Sequence, residues 1–166
     1  MSARVRPATA ADAPVIARHR ARMFEEMGEL PADAFEPLRA AAETYLVEAM
    51  ARGEYVGWLA TAPDEPELVL AGAGVQRRRV LPHPIAEGEG RARIAEGRHA
   101  IVLNVYTEPA WRRRGLGELL MREVLAWARA ERLDRLVLHA SDVGRPLYER
   151  LGFIATNEMR FTGELA

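Results

Sequence analysis

The chain contains no cysteine, which removes disulfides, thiolate zinc sites and a covalent acyl-cysteine intermediate together. It also contains no lysine: all 23 of its basic residues are arginine, so a Walker-type phosphate loop and Schiff-base catalysis are both excluded. No stretch approaches the ~18 uninterrupted apolar residues of a spanning helix, and the N-terminal arginines are not followed by an apolar run. The sequence is therefore read as cytoplasmic, with no membrane partner. Basic and acidic residues nearly cancel, 23 against 24, for a net charge of -1. That gives no global field to hold a polyanion, so nucleic acid is not expected and any anion site must be local. What is present is ordinary globular material: 166 residues, 49% hydrophobic and 28% charged. Residues 1–166 are read as one domain, in which roughly 70% of the unfolded chain's surface can be buried.

Hydrophobic periodicity and turn residues divide the chain into an α/β order. Ala3 to Pro7 alternates as a first strand, and Thr9 with Asp12 has the spacing of a capping box opening a helix that runs to about Met27. Gly28 and Pro31 end it, and a second helical pattern covers Ala32 to Arg52. Tyr55 to Thr61 and Leu68 to Val80 read as an antiparallel hairpin around Pro63-Asp64-Glu65-Pro66. Arg77, Arg78 and Arg79 then form a solvated strand end. Pro82 to Gly97 has prolines, glycines and charges without a period, which predicts a mobile surface loop. A strand at Ala100 to Thr107, a helix at Gly115 to Glu131, a strand at Arg135 to Ala140 and a helix at Gly144 to Leu151 follow. Phe153 to Phe161 is expected to add one or two strands. The strand, helix, strand order makes the strands at 100–107 and 135–140 parallel neighbours, so the sheet is mixed. The fold class is α/β (α+β): a mixed, twisted sheet of six to seven strands flanked by four helices.

The informative run is Asn104 to Leu120. Pro109 ends the strand, Arg112-Arg113-Arg114 and two glycines form a turn, and a helix starts at once. Leu116, Leu120, Val124 and Trp127 share one face of that helix and Glu118, Arg122 and Arg129 the other, so it packs on a sheet. The first backbone N–H groups of such a helix lack partners and carry partial positive charge, and Gly115 and Gly117 let an anion come close. The arginines add charge to what is built as a pyrophosphate cradle.

The segment Arg112-Arg113-Arg114-Gly115-Leu116-Gly117 resembles the Arg/Gln-x-x-Gly-x-Gly/Ala hallmark of the GNAT superfamily of N-acetyltransferases. A second hallmark, a helix ending in Tyr-Glu-x-Leu-Gly-Phe, stands at Tyr148 to Phe153, about one βα unit downstream. The resemblance implies direct transfer of an acetyl group from acetyl-CoA to a primary amine of a small molecule or peptide, with no metal and a homodimer as one possible assembly. It further implies that the parallel strands splay, that Val105 and Thr107 offer backbone to the pantetheine arm, and that Arg112, Arg113, Arg114, Gly115, Gly117 and Glu118 cradle the pyrophosphate. Tyr148 would protonate or hydrogen-bond the leaving thiolate. Two positions depart from the common pattern: Arg113 stands where many members carry glycine, and Ser141 where many carry an asparagine that contacts the arm. A catalytically silent acyl-CoA-binding regulatory module is the alternative reading.

The attacking amine must lose a proton, and several groups are candidates to receive it or to position the acceptor. Glu26 and Glu29 lie near the end of the first helix, a region that similar proteins place over the acceptor; the competing role for Glu26 is an exposed helical carboxylate. Asn104 on the strand is a positioning group. Glu108, His99 and His139 are further candidates. His83 belongs to the loop and is solvated, and His19, flanked by arginines, is read as surface. Ser141 or Asp142 is expected to cap the last helix, and capping is the role read for Asp142.

Overall fold

Alternation along one strand separates two cores. In β2 (Tyr55–Thr61), Trp58 and Ala60 enter one apolar cluster, whereas Tyr55 and Leu59 enter another. Side chains of a strand alternate between faces, so a strand with both sets buried lies inside a sheet covered on both sides. The computed structural model describes residues 3–164. Its main sheet has five strands in the order β1-β2-β3-β6-β7, with β1 (Arg4–Pro7), β3 (Val69–Arg79), β6 (Arg98–Thr107) and β7 (Arg135–Leu138). All neighbours are antiparallel except β6 and β7, which are parallel, as the crossover requires.

Helices α1 (Ala13–Glu26) and α2 (Phe35–Ala51) cover one face through Ala13, Ile16, Ala17, Ala42 and Leu46. Helix α3 (Leu116–Ala130) covers the other through Leu116, Leu120, Met121 and Val124. Short α4 (Arg145–Arg150) follows β7. The start of α1 is held by the expected box: the Thr9 N–H donates to Asp12 Oδ2 at 2.7 Å, and Arg6 grips both Asp12 oxygens at 2.7 and 2.9 Å. That guanidinium holds the Asp12 carboxyl below its ordinary range.

Two stretches differ from the sequence reading. Residues 82–97 are no irregular loop: β4 (His83–Gly88) and β5 (Arg91–Ala95) pair as a separate antiparallel hairpin. Gly88, Glu89 and Gly90 all take left-handed φ and close it, so glycines that looked like a break are its turn. Phe153 to Phe161 forms no strand. Past Phe153, which packs on the core, its large apolar side chains have no face to bury against, and Ile154, Met159 and Phe161 are left exposed, at 83%, 94% and 70%. Seven strands and four α-helices are thus present among the described residues, five strands in the mixed sheet and two outside it. All three arginines of the expected solvated edge are exposed, and Arg77 in addition donates to Glu131 and lies over the Trp127 ring.

Candidate active site

The site is built around an irregularity in β6. Pairing with β3 runs Val75↔Val102 and Gly74↔Leu103, then resumes at Gly72↔Tyr106 and Ala71↔Thr107, leaving Asn104 and Val105 opposite Ala73 alone. This is a β-bulge, and Asn104 takes its left-handed position with φ 56°, which asparagine tolerates better than most residues. On the other flank β6 pairs with β7 only over His99 to Val102. From Leu103 to Thr107 the strand therefore has a partner on one side and an open flank on the other. Val105 and Thr107 both lie in this open half. The Thr107 carbonyl, however, already accepts from Arg112 Nε at 3.0 Å.

The turn into α3 follows directly. After a single 3-10 turn at Pro109–Trp111, Arg113 and Gly115 adopt φ of 62° and 79°. Left-handed positions alternating with others turn successive N–H groups into one concavity. Among the described residues no acceptor takes the N–H groups of Arg113 through Glu118; the first bond back into the turn is from Leu119 to the Gly115 carbonyl. Space beside Gly115 is open, whereas a Cβ on Gly117 would press on Leu147 at 3.3 Å. Arg114 lies over Trp111, and Glu118 pairs with Arg122 at 2.6 Å on the outer face of α3. The turn thus gathers Arg112, Arg113, Arg114, Gly115 and Gly117, and the Glu118 N–H but not its carboxylate.

On the α1 side of β6 a network runs from the exposed Glu26 and Arg112 inward to buried groups. Tyr106 donates its hydroxyl to Glu26 Oε1 at 2.9 Å, and Arg112 Nη2 reaches both Glu26 oxygens at 2.8 and 2.7 Å. Burial and the adjoining carboxylate push the Tyr106 phenol up to about 12. Glu108, fixed by its N–H to the Leu70 carbonyl, accepts from Arg18 at 2.7 Å and meets His19 Nε2 at 3.1 Å. Asn104 donates from Nδ2 to the Tyr55 hydroxyl and accepts at Oδ1 from Arg20. Glu26 and Asn104, expected as acceptor groups, therefore share this face of β6.

His19 corrects the sequence reading most sharply. It is 1% exposed and stacked at 4.9 Å on Tyr106, because Ile16 lies on the buried stripe of α1 and position 19 follows it by one turn. Burial holds its imidazole down to about 4, so at neutral pH it is uncharged and its Nε2–H donates to the Glu108 carboxylate. That spacing, with Arg20 at the neighbouring position, was the signal that would have found both residues. Tyr106 and Tyr55 had no comparable mark in the sequence.

Tyr148 packs edge to face with Phe153 at 6.0 Å, and its hydroxyl has no hydrogen-bond partner among the described residues. Burial raises its pKa, which keeps the phenol protonated. Ser141 rather than Asp142 caps the turn into α4, accepting the Gly144 N–H at Oγ. The remaining candidates are not brought to the bulge. Glu29 is exposed beyond α1. His99 faces His83 at 3.4 Å at the hairpin base, its pKa lowered by burial and then by that neighbour. His139 pairs with Glu158 at 2.7 Å.

Two stability measurements follow from this geometry. A left-handed arginine costs about 1 kcal/mol relative to glycine, so Arg113→Gly raises the thermal midpoint, read by scanning calorimetry. Because the folded His19 pKa lies below its ordinary value of 6.5, the folded state binds fewer protons than the unfolded one. The stability from this group is complete above pH 6.5 and is lost as pH falls toward 4, by up to about 3 kcal/mol. A His19→Gln variant shows a flatter midpoint-against-pH curve over that window.

Comparison with known proteins bears on the same region. Residues 15–153 match the model of the acetyltransferase (GNAT) family. The fold superposes on a GCN5-related N-acetyltransferase from Ralstonia eutropha JMP134 with a TM-score of 0.82 and 30% identity, covering 97% of this chain and 98% of that one. A predicted acetyltransferase from Clostridium acetobutylicum, solved with acetyl-CoA, gives 0.77 at 23% identity over 98% and 96%. Glucosamine-6-phosphate N-acetyltransferase from Arabidopsis thaliana gives 0.66 at 10% over 100% of both chains. Comparison with curated proteins finds no match. The bulged, half-open strand and the amide-lined turn thus fall inside a segment that a whole family shares, and this chain belongs to the GNAT acetyltransferases.

Proposed function

We propose that the chain transfers an acetyl group from acetyl-CoA directly to a primary amine while both are bound. The observation that carries this reading is the continuity of the open strand flank with the turn. The open flank of β6 from Leu103 to Thr107 leads into the unpartnered amides of the turn, and Tyr148 offers a free hydroxyl. An extended amide-bearing arm adds to an open strand as another strand would, here along Val105 and Thr107. A diphosphate suits the amides from Arg113 to Glu118, with Gly115 and Gly117 leaving room and Arg112, Arg113 and Arg114 supplying charge. Ser141, occupied with capping α4, keeps one lone pair for the same arm.

The reaction needs no covalent enzyme intermediate, and with no cysteine in the chain none forms on a thiol. The amine nitrogen attacks the thioester carbonyl carbon, the C–S bond breaks, the thiolate takes a proton from the Tyr148 hydroxyl, and the second proton, shed by the nitrogen as the amide forms, returns through solvent to the Tyr148 phenolate. The amine, which is protonated in water up to about pH 10, must first give up a proton. Glu26 and Asn104 hold the acceptor on the α1 face, and solvent reached through that carboxylate receives the proton.

Calorimetry with acetyl-CoA and a CoA-release assay over a panel of amines test this reading. Expected are 1:1 binding and release of CoA only when an amine is present. Tyr148→Phe lowers kcat roughly ten- to thousandfold with little change in acetyl-CoA affinity. Unaltered turnover in that variant removes Tyr148 from the chemistry, and binding without release for any amine leaves an acyl-CoA-binding module.

A further inference from the structure

Arginines and carboxylates on the α1 side of β6 are matched with one exception. Arg18 pairs with Glu108, Arg22 with Glu25 and Arg112 with Glu26, at 2.7 to 2.8 Å. Arg20 has no carboxylate within 4 Å among the described residues. Its single polar partner is neutral, the Asn104 Oδ1 at 2.9 Å, and its guanidinium lies over the Phe24 ring at 5.0 Å. The side chain is half-buried and burial lowers its pKa, yet a guanidinium stays charged under all ordinary conditions. A desolvated cation without a counter-ion is costly. Hydrogen bonding to Asn104 does not explain it, because a neutral amide would do the same.

The position of this cation gives the mismatch a meaning. Arg20 meets β6 at the bulge residue Asn104, and Glu26 meets it at Tyr106. These two strand residues are separated by one position, Val105, across the bulge. The opposite face of the sheet is filled by α3, so an acceptor approaches the bulge from the side of α1. Resting on the acetyl-transfer reading above, we propose that the acceptor carries a carboxylate close to its amine, as an α-amino acid does, and that Arg20 receives that carboxylate. A guanidinium binds a carboxylate through paired N–H donors, and one positive charge balances one negative charge. A polyamine would bring further positive charge beside Arg18 and Arg20. A phosphate monoester would leave excess negative charge.

The experiment compares matched acceptors that differ only in the carboxylate: histidine with histamine, tryptophan with tryptamine, and arginine with agmatine, plus phosphoethanolamine as the phosphate arm. The purified full chain, saturated with acetyl-CoA, is expected to favour the amino acid of at least one pair in kcat/KM by roughly ten- to hundredfold, the range for a charged hydrogen-bonded contact. Arg20→Gln, which keeps a donor for Asn104, abolishes that preference through KM and leaves the calorimetric affinity for acetyl-CoA unchanged. Arg20→Lys retains part of it. If Arg20→Gln does not fold, the wild-type pair ratios with Arg20→Lys decide. Equal turnover of both members of every pair, or preference for phosphoethanolamine, overturns the carboxylate assignment while leaving acetyl transfer standing. Silence of every amine with acetyl-CoA bound overturns both.

Discussion

The structure turns on a single extra residue in one strand. A regular β6 would pair along its whole length with β3 on one flank and continue beside β7 on the other, closing the sheet. The bulge at Asn104 and Val105 keeps the pairing with β3 at the cost of one unpaired position, and the strand bends there. Past Val102 the two parallel strands no longer bond. The open flank, the placement of Tyr106 and Glu108 under α1 and the direction in which the chain enters the α3 turn all follow from that bend. The family to which the chain belongs is known by its turn, but the turn has a strand end to stand beside only because the strand is irregular.

Charge in this protein is carried by a restricted alphabet. With arginine as its only basic side chain apart from histidine, one side chain at the site can donate in two directions at once, and Arg112 reaches both Glu26 oxygens from Nη2 while its Nε holds the Thr107 carbonyl. Lysine could not make both contacts with fixed geometry. The same residue heads the turn and steadies the end of α1. The turn and the α1 side of β6 are therefore joined through one side chain.

The sequence was most legible where the controlling interactions are local. Pro109, the glycines at 115 and 117 and the amphipathic pattern from Leu116 to Ala128 mark strand end, turn and helix within one short window, and the parallel pairing of β6 with β7 follows from the crossover between them. The bulge was not legible, because it is a mismatch between β3 and β6 that neither strand displays alone. His19 was misread for a related reason. Its arginine neighbours suggest water, and only the register of α1 from Ile16 turns it inward beneath Tyr106. The β4 and β5 hairpin hid behind glycines that serve as its turn. The segment after Phe153 alternates like a strand but meets no partner, and alternation without a surface to bury against does not make a sheet.

One small space links three positions far apart in the chain. A Cβ placed on Gly74 would collide with the ring and hydroxyl of Tyr55, and that hydroxyl accepts from Asn104 at 3.2 Å. The residue on β3 is thus kept bare by an aromatic on β2 whose oxygen steadies the amide on β6. In related chains, a side chain at 74 requires a smaller residue at 55. Losing the phenol in turn deprives the kinked asparagine of its brace, so these three sites should vary as a set and a change at one alone should be rare.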